Sequence, residues 1–244
     1  FLDDQGQKIS KSSGNGISID EWLTYASPES LSYFMYQKPK TAKRLHFDVI
    51  PKAVDEYHQQ LRAYGTQDLK SKAANPIFHI HGNTAPNSDM VVPFSMLLNL
   101  AAVANAEDKD QLWGFIKRYA QDASPENNPQ LDQAASFAIS YYNDFVKPKK
   151  VYRLPNTTER EALMDLHCML SDFKGNRDAE ELQSIVFACG REKFDPLREW
   201  FTALYEVLLG ASQGPRFGGF IALYGIEETI QLIEKALDGV FVKD

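Results

Sequence analysis

The sequence has little cysteine, no long apolar run and no excess of positive charge. Its two cysteines, Cys168 and Cys189, form no CxxC pair, which argues against a disulfide scaffold or a thiolate zinc site and favours a reducing compartment. The longest apolar stretch, residues 96–106, is interrupted by Asn99 and Asn105 and is too short to cross a bilayer. No signal peptide is visible either. We therefore expect a cytoplasmic protein with no membrane partner and no metal site.

The chain is acidic overall. Its 244 residues include 26 Lys and Arg against 33 Asp and Glu, for a net charge of −7. No overall positive field therefore attracts DNA or a membrane surface. The charge is uneven, because residues 1–75 hold ten basic and nine acidic side chains whereas residues 76–244 hold sixteen and twenty-four. A polyanionic partner would have to bind at local basic clusters.

Helical periodicity dominates the sequence. Apolar residues recur at i, i+3, i+4 and i+7 in several segments. One such stripe consists of Leu112, Phe115, Ile116 and Tyr119. Helix-start signals precede these runs, because the pairs Ser18–Glu21 and Thr158–Glu161 have the spacing of a capping box. We predict about ten helices and a mostly α fold, with both cysteines on buried helix faces.

One segment breaks the helical pattern. Residues 76–82, which read PIFHIHG, alternate in the manner of a strand, and residues 83–89 have the composition of a loop. We therefore expect a minor β or irregular insert between a small helical unit and a larger helical array. His79 and His81 would share one strand face there, but no third metal ligand lies nearby in the sequence.

The strongest chemical signal lies near the start of the chain. Lys8, Ser10, Lys11 and Ser12 are followed by a glycine-rich stretch and then by the helix-start signal at Ser18. Two ammonium groups, interleaved hydroxyls and exposed backbone amides could wrap a polyphosphate. The alternative is a solvated Ser/Gly linker. Because the glycines lead directly into a capped helix, the sequence favours the polyphosphate loop.

The amino-acid sequence of this loop is similar to a known motif. Lys8–Ser12 resembles the KMSKS motif of class I aminoacyl-tRNA synthetases, with Ile9 at the Met position. Three longer stretches resemble class I lysyl-tRNA synthetases, and the resemblance extends from residue 1 to about residue 237. They are SLSYFMYQKP (30–39), KRLHFDVIPKAVDEY (43–57) and GPRFGGFIALYG (214–225).

This resemblance implies three regions. Residues 1–26 would be the end of a catalytic domain with its KMSKS-like loop, residues 27–90 a stem-contact region and connector, and residues 91–244 a helical cage that binds the anticodon. The family's Rossmann sheet and HIGH motif do not occur, and the chain opens on Phe-Leu-Asp-Asp. We therefore expect the C-terminal part of a longer protein. The alternatives are a glutamyl or arginyl class I synthetase, a free-standing tRNA-binding module and a helical interaction scaffold.

The implied activity is activation of lysine with ATP, followed by transfer of lysine to tRNA(Lys). The lysine carboxylate attacks the α-phosphorus and pyrophosphate leaves, so a cation that meets the leaving group lowers the barrier. The resemblance assigns this catalytic role to Lys11 with help from Lys8, while Ser10 and Ser12 complete the ATP-binding loop and Mg²⁺ accompanies ATP in the whole enzyme. Alone, the chain should bind no cofactor tightly and catalyse nothing, because nothing else in it would orient ATP.

Three clusters are candidates for binding tRNA. One pairs Arg216 with Phe217 beside glycines, which suits unstacked bases. The other two are basic clusters that could neutralise backbone phosphates. They consist of Lys43, Arg44 and Lys52, and of Lys147, Lys149, Lys150 and Arg153. The alternatives are a place in the helix core for the aromatic residues and a solvated face for each basic cluster.

Overall fold

The computed structural model describes residues 1–10 and 14–242, apart from the side chain of Asn83. Thirteen α-helices run through these residues, so the mostly α fold class is confirmed. Among them, β pairing is limited to two isolated bridges, one antiparallel between Leu2 and Lys8 and one parallel between Leu2 and Arg44. No helix in the described residues is both long and apolar enough to cross a membrane.

Besides the α-helices, the described residues contain three short 3-10 helices and two π-helical segments. The first seven α-helices are α1 (Ile19–Tyr25), α2 (Pro28–Tyr36), α3 (Ile50–Thr66), α4 (Leu69–Ala74), α5 (Pro76–His81), α6 (Phe94–Ala104) and α7 (Lys109–Tyr119). The remaining six are α8 (Pro129–Tyr141), α9 (Thr157–Ser171), α10 (Ala179–Arg191), α11 (Arg198–Leu204), α12 (Phe217–Tyr224) and α13 (Ile226–Leu237).

The chain divides into two compact units. The first contains Phe1–Ser95 together with Ser124–Tyr141, and the second contains Met96–Ala123 together with the chain from Tyr142 onward. The functional division into residues 1–26, 27–90 and 91–244 is a separate matter and stays a prediction.

Aromatic side chains fill the first unit. Trp22 of α1 is fully buried, and its indole N–H donates to the hydroxyl of Ser30 in α2 at 3.1 Å. A second buried cluster joins Tyr33, Tyr57 and Ile77 from α2, α3 and α5. These contacts hold the helices that follow the lysine-containing loop.

The predicted strand at residues 76–82 is wrong, because Pro76–His81 forms helix α5. The side chain of Asn75 caps this helix by accepting a hydrogen bond from the Ile77 amide at 3.0 Å, and Pro76 suits the first turn. Ile77 and Ile80 then contact the same aromatic cluster. Ile77 and Ile80 have the i, i+3 spacing of one helix face. In a segment of six residues, this spacing cannot be distinguished from the period-2 alternation of a strand.

The helix-start signals are only partly correct. Ser18 caps α1 in a capping box with Glu21, as predicted. The box at Thr158–Glu161 is wrong, because Asn156 caps α9 and pairs with Glu159 instead. Both boxes have the same three-residue spacing, so spacing by itself could not distinguish them.

The second unit is built around a large apolar core from α9 to α13. Helices α10 and α12 cross at Gly218, whose amide donates to the buried side chain of Gln183 at 2.8 Å. A Cβ at Gly218 would lie 2.5 Å from the Gln183 nitrogen and would also collide with the Ala179 carbonyl oxygen. The glycine therefore permits the close helix crossing.

Candidate functional site

The lysine-containing loop is closed at its base by Asp3 and Asn15. Asn15 donates to Asp3 Oδ2 at 2.7 Å, and its own carboxamide oxygen accepts from the Ser10 amide at 3.1 Å. The second Asp3 oxygen accepts from the amides of Gln5 and Gln7 at 3.0 and 2.7 Å. The hydrogen bond from Asn15 is the main reason that the pKa of Asp3 is lowered. Asp3 and Asn15 thus join both ends of the loop.

The two arms of the loop also pack directly on each other. A Cβ at Gly16 would lie 2.5 Å from Ile9 Cγ2, so the glycine leaves room for the isoleucine. Lys8 and Ser10 are exposed, and no described residue forms a hydrogen bond or ion pair with the Lys8 ammonium. Lys11 and Ser12 lie outside the described residues. The sequence pattern had given no role to Asp3 or Asn15, because their pairing spans the loop.

The first basic cluster comes together on one groove of the first unit. Lys43, Arg44 and Lys52 all line this groove, whose volume is about 740 Å³. Lys38 and the aromatic side chain of Tyr36 lie in the same wall. Lys52 has 80% of its side chain exposed and is 3.6 Å from Glu56. Basic side chains from several separate positions in the sequence therefore face one groove, where they could contact an anionic ligand.

Lys43 differs from its neighbours because its ammonium is already engaged. It donates to the carbonyls of Phe34 at 2.5 Å and Met35 at 3.1 Å, and also to that of Gln37. The nitrogen lies 4.9 Å from the ring centroid of Phe34, and burial lowers the pKa of Lys43. An ammonium has three donors, so Lys43 stabilises the end of α2 and has none left for phosphate.

Arg44 is held less firmly. Its guanidinium pairs with Asp48, and both side chains are 49% exposed. An ion pair that is this exposed contributes roughly 0–1 kcal/mol, so an incoming phosphate could replace the carboxylate at little cost. Arg44 keeps the geometry of a candidate phosphate contact.

In the second basic cluster, Lys150 is directed inward. Its ammonium donates to the carbonyl of Ala102 at 2.6 Å and contacts the carboxamide oxygen of Asn105 at 3.4 Å. It also lies 5.0 Å from the ring centroid of Tyr152. Burial, together with the nearby Lys147, lowers the pKa of Lys150 to about 8. The structure thus ties Lys150 to the end of α6.

Arg153 is the most firmly held cation of that cluster. Its guanidinium donates twice to Glu159, at 2.6 and 2.8 Å, and once to Glu206, at 2.6 Å. These hydrogen bonds raise the pKa of Arg153. Burial by itself would raise the pKa of Glu159, but hydrogen bonds from Arg153 and Asn156 lower it overall. The other two members of this cluster, Lys147 and Lys149, are exposed and have no ion pair in the described part of the chain.

Arg216 and Phe217 have opposite environments. Arg216 forms two hydrogen bonds with Glu180, at 2.6 and 2.5 Å, and 60% of its side chain is exposed. Phe217 is completely buried and belongs to the core of the second unit. No base can stack on a ring without exposed surface, so the expectation for Phe217 is corrected to a role in packing.

The histidines of α5 hold local contacts. His79 stacks on Tyr36 with centroids 5.0 Å apart, and His81 Nε2 is 2.9 Å from the Tyr57 hydroxyl. Within the described residues, no group of three or more His, Cys, Asp and Glu side chains could hold a metal ion. Cys189 is buried, which raises its pKa to about 11, whereas Cys168 is exposed, contrary to expectation.

Known proteins match the whole length of the chain. Residues 1–84 match the family model of class I (K) tRNA synthetases. A lysine–tRNA ligase of Roseobacter denitrificans is 72% identical over 244 residues, which is all of this chain and 46% of the relative. Lysine–tRNA ligases of Rickettsia bellii and Rickettsia conorii are 49% and 48% identical over 240 residues, or 97% of the chain and 46% of each relative.

The chain spans about half the length of the curated relatives it matches. The part that it matches is C-terminal. The family match at residues 1–84 contains the lysine loop and the basic groove described above, and the high identity continues beyond it through the second unit. Over its whole length the chain is therefore similar to the C-terminal part of lysine–tRNA ligases, and its first 84 residues are similar to class I (K) tRNA synthetases.

Proposed function

We propose that this chain forms the ATP-loop and tRNA-binding part of a lysine–tRNA ligase that activates lysine with ATP and transfers it to tRNA(Lys). The observation that carries the proposal is 72% identity, over all 244 residues, to a protein of that name. The relatives bear the lysine name, which favours lysine over glutamate or arginine as the substrate. A cytoplasmic location, where tRNA is charged, belongs to the same proposal.

The loop would act in lysine activation. Its ends are fixed by Asp3 and Asn15, while the ammonium of Lys8 has no partner among the described residues. A cation on an anchored loop can approach the pyrophosphate as it leaves, without a large reorganisation. Lys11 takes the main role by similarity to the KMSKS motif, and Ser10 and Ser12 contribute donors to the phosphates.

Metal ions enter this proposal only through ATP. ATP in such a reaction commonly carries Mg²⁺, but the described residues contain no cluster that fits the ion. We therefore assign no Mg²⁺ ligand to this chain.

The test of the loop is Lys11→Ala in the whole ligase. Removing one cation that stabilises the leaving group should lower the rate of ATP–pyrophosphate exchange by about 100-fold or more. Lys70→Ala is the matched control, because Lys70 is an exposed lysine on α4, outside the loop. Equal exchange rates in the two variants would remove Lys11 from catalysis. The 244-residue chain by itself should show no aminoacylation.

The tRNA-binding surface should depend on the cations that can be released. Arg44 and Arg216 are in exposed ion pairs, and Lys149 is exposed. We expect Arg44→Gln or Arg216→Gln to weaken tRNA(Lys) binding and to reduce its salt dependence by roughly one phosphate contact each. Lys70→Gln should change neither quantity. Unchanged salt dependence in both arginine variants would contradict this assignment.

A further inference from the structure

The first unit contains a small cavity that is separate from the basic groove. It has a volume of about 150 Å³ and lies among the start of α2, the middle of α3, the end of α5 and one face of α8. An apolar cavity of about this volume holds a ligand as large as benzene. Two of the lining residues, Pro86 and Gln133, are exposed, so the cavity opens to solvent.

Four polar side chains of the cavity wall already have partners within the protein. The Tyr57 hydroxyl lies 2.9 Å from His81 Nε2, and the Ser27 hydroxyl accepts from the Ser30 amide at 3.3 Å. Gln130 donates its NH₂ group to a carbonyl of the preceding loop at 3.0 Å. These hydrogen bonds fix the shape of the wall, and the chemistry of the cavity depends on the two polar groups that are left.

His58 presents a ring nitrogen to the cavity. The residue is 7% exposed, and its Nδ1 lies 3.3 Å from the Ser88 hydroxyl. Its Nε2 has no hydrogen bond within the described residues, where every fully enclosed side-chain nitrogen or oxygen has one. Nε2 therefore keeps accessible surface, and His58 lines the cavity.

The imidazole of His58 is neutral at pH 7. Burial, together with the nearby charge of Arg62, lowers the pKa of His58 to about 4. A neutral imidazole has one N–H and one bare nitrogen. When Nδ1 carries the proton and donates to Ser88, Nε2 accepts a hydrogen bond from whatever occupies the cavity.

Glu29 adds a negative charge to the same wall. It is partly buried in the first turn of α2, and no described residue donates a hydrogen bond to its carboxylate or forms an ion pair with it. Burial and, to a smaller extent, the charge of Glu29 raise the pKa of Tyr57, so the carboxylate lies close to that ring. Arg62 donates to the Met90 carbonyl at 3.3 Å and does not line the cavity. The charge of Glu29 is therefore left for a ligand.

The remaining wall is apolar, with Val54, Ala134 and Phe137 beside the two acceptors. A primary ammonium has three N–H donors, and a short alkyl chain attached to it would be removed from water by this wall. No group of three or more His, Cys, Asp and Glu side chains in the described residues could hold a metal ion, so the cation that fits is organic. We propose that this cavity binds a short primary alkylammonium ion, with Glu29 as its counter-ion and His58 as the second acceptor.

The test uses n-butylammonium as the probe and 1-butanol as a neutral molecule of the same length. Binding to the 244-residue chain is followed by NMR through the methyl signals of Val54 and Ala134. We expect a Kd on the order of 1 mM for n-butylammonium and at least about tenfold weaker binding of 1-butanol, which lacks the charge. Methyl signals that do not move with n-butylammonium, or equal affinities for the two probes, would overturn the proposal.

Glu29→Gln tests the counter-ion, because it keeps the size of the side chain and removes its charge. The affinity for n-butylammonium should fall by about tenfold, to about that of 1-butanol. Glu227→Gln is the matched control, since Glu227 occupies the same position in the first turn of α13, is exposed and does not line the cavity. Both variants remove a favourable charge from a helix N-terminus, so an equal effect on binding would rule out Glu29 as the counter-ion.

His58→Phe tests the second acceptor. The variant keeps a flat ring and removes Nε2, so n-butylammonium should bind about fivefold more weakly. Urea unfolding of the same sample shows whether the variant is folded. A folded His58→Phe protein that binds n-butylammonium as tightly as the wild type would exclude His58 from the site. The proposed function is not at stake in these experiments, because none of them uses tRNA or ATP.

Discussion

The crossing of α10 and α12 offers a sharp test of the packing argument, through Gly218→Ala. The added Cβ would lie 2.5 Å from the Gln183 nitrogen and 2.6 Å from its Cβ, and closer still to the Ala179 carbonyl oxygen. Two of these atoms are backbone atoms of α10, so no side-chain rotation can relieve the overlap. The two helices would have to separate.

The expected loss of stability follows from three contributions. Overpacking a core costs about 1–3 kcal/mol, and the rigid backbone neighbours place this site at the upper end. Separation of the helices also lengthens the buried hydrogen bond from Gly218 to Gln183, which is 2.8 Å long; its loss adds roughly 1–3 kcal/mol. Alanine regains about 1 kcal/mol through its higher helix propensity. The net expectation is destabilisation of about 3–5 kcal/mol.

The adjacent glycine is an internal control for this experiment. A Cβ at Gly219 would meet only Met96 Cε at 3.5 Å, which is an ordinary contact. Gly219→Ala should therefore leave stability unchanged or raise it by about 1 kcal/mol. Urea unfolding followed by circular dichroism, with hydrogen exchange of the α10 and α12 amides, measures both variants. Equal stability of the two variants would refute the close-packing explanation.

Three further predictions concern polar groups. Asn15→Ala should speed hydrogen exchange of the Ser10 amide by about tenfold, because the hydrogen bond that protects it is lost, with little change in global unfolding. The lowered pKa of Lys150 means that this side chain binds more protons in the unfolded than in the folded chain between pH 8 and 10.5, so its contribution to stability should rise over that range by about 1–2 kcal/mol after allowance for solvent screening. The raised pKa of Cys189 acts in the opposite direction, so the contribution is measured as the difference between the wild-type protein and Lys150→Met in urea unfolding at both pH values. Arg153→Met should destabilise by about 3 kcal/mol in the same assay because it leaves Glu159 buried and unpaired, whereas Arg216→Met should stay within about 0.5 kcal/mol.

Periodicity identified the helices well where they are long. Leu112 and Ile116 of α7 are fully buried, as their spacing predicts, although Tyr119 at the end of the stripe is 45% exposed. In α9, the buried leucines are Leu163, Leu166 and Leu170. Cys168 lies between them in sequence and therefore on another face, which explains its exposure.

Two features could not be predicted from the sequence. One is the type of a short element, and the other is whether the N–H donors of a basic side chain are already hydrogen-bonded within the protein. Helix α5 has six residues, and only the packing of Ile77 and Ile80 on the same cluster shows its period. The partners of Lys150 are about 45 residues away along the chain, at Ala102 and Asn105. A basic residue is visible in a sequence, but whether its N–H groups are already bonded depends on such distant contacts.

Donor occupancy leads to one last prediction, for the salt dependence of tRNA binding. Eight basic residues belong to the clusters that were expected to contact tRNA, but Lys43, Lys150 and Arg153 have their donors engaged within the protein. The other five remain available, namely Arg44, Lys52, Lys147, Lys149 and Arg216. With about 0.7–0.9 counterions released per phosphate, the logarithm of the affinity should fall with the logarithm of salt concentration with a slope of about −3.5 to −4.5. Filter binding of tRNA(Lys) to the 244-residue chain across a salt series measures this slope. A slope of about −6 or steeper would mean that the engaged cations exchange their protein partners for phosphate, because five contacts cannot release that many ions.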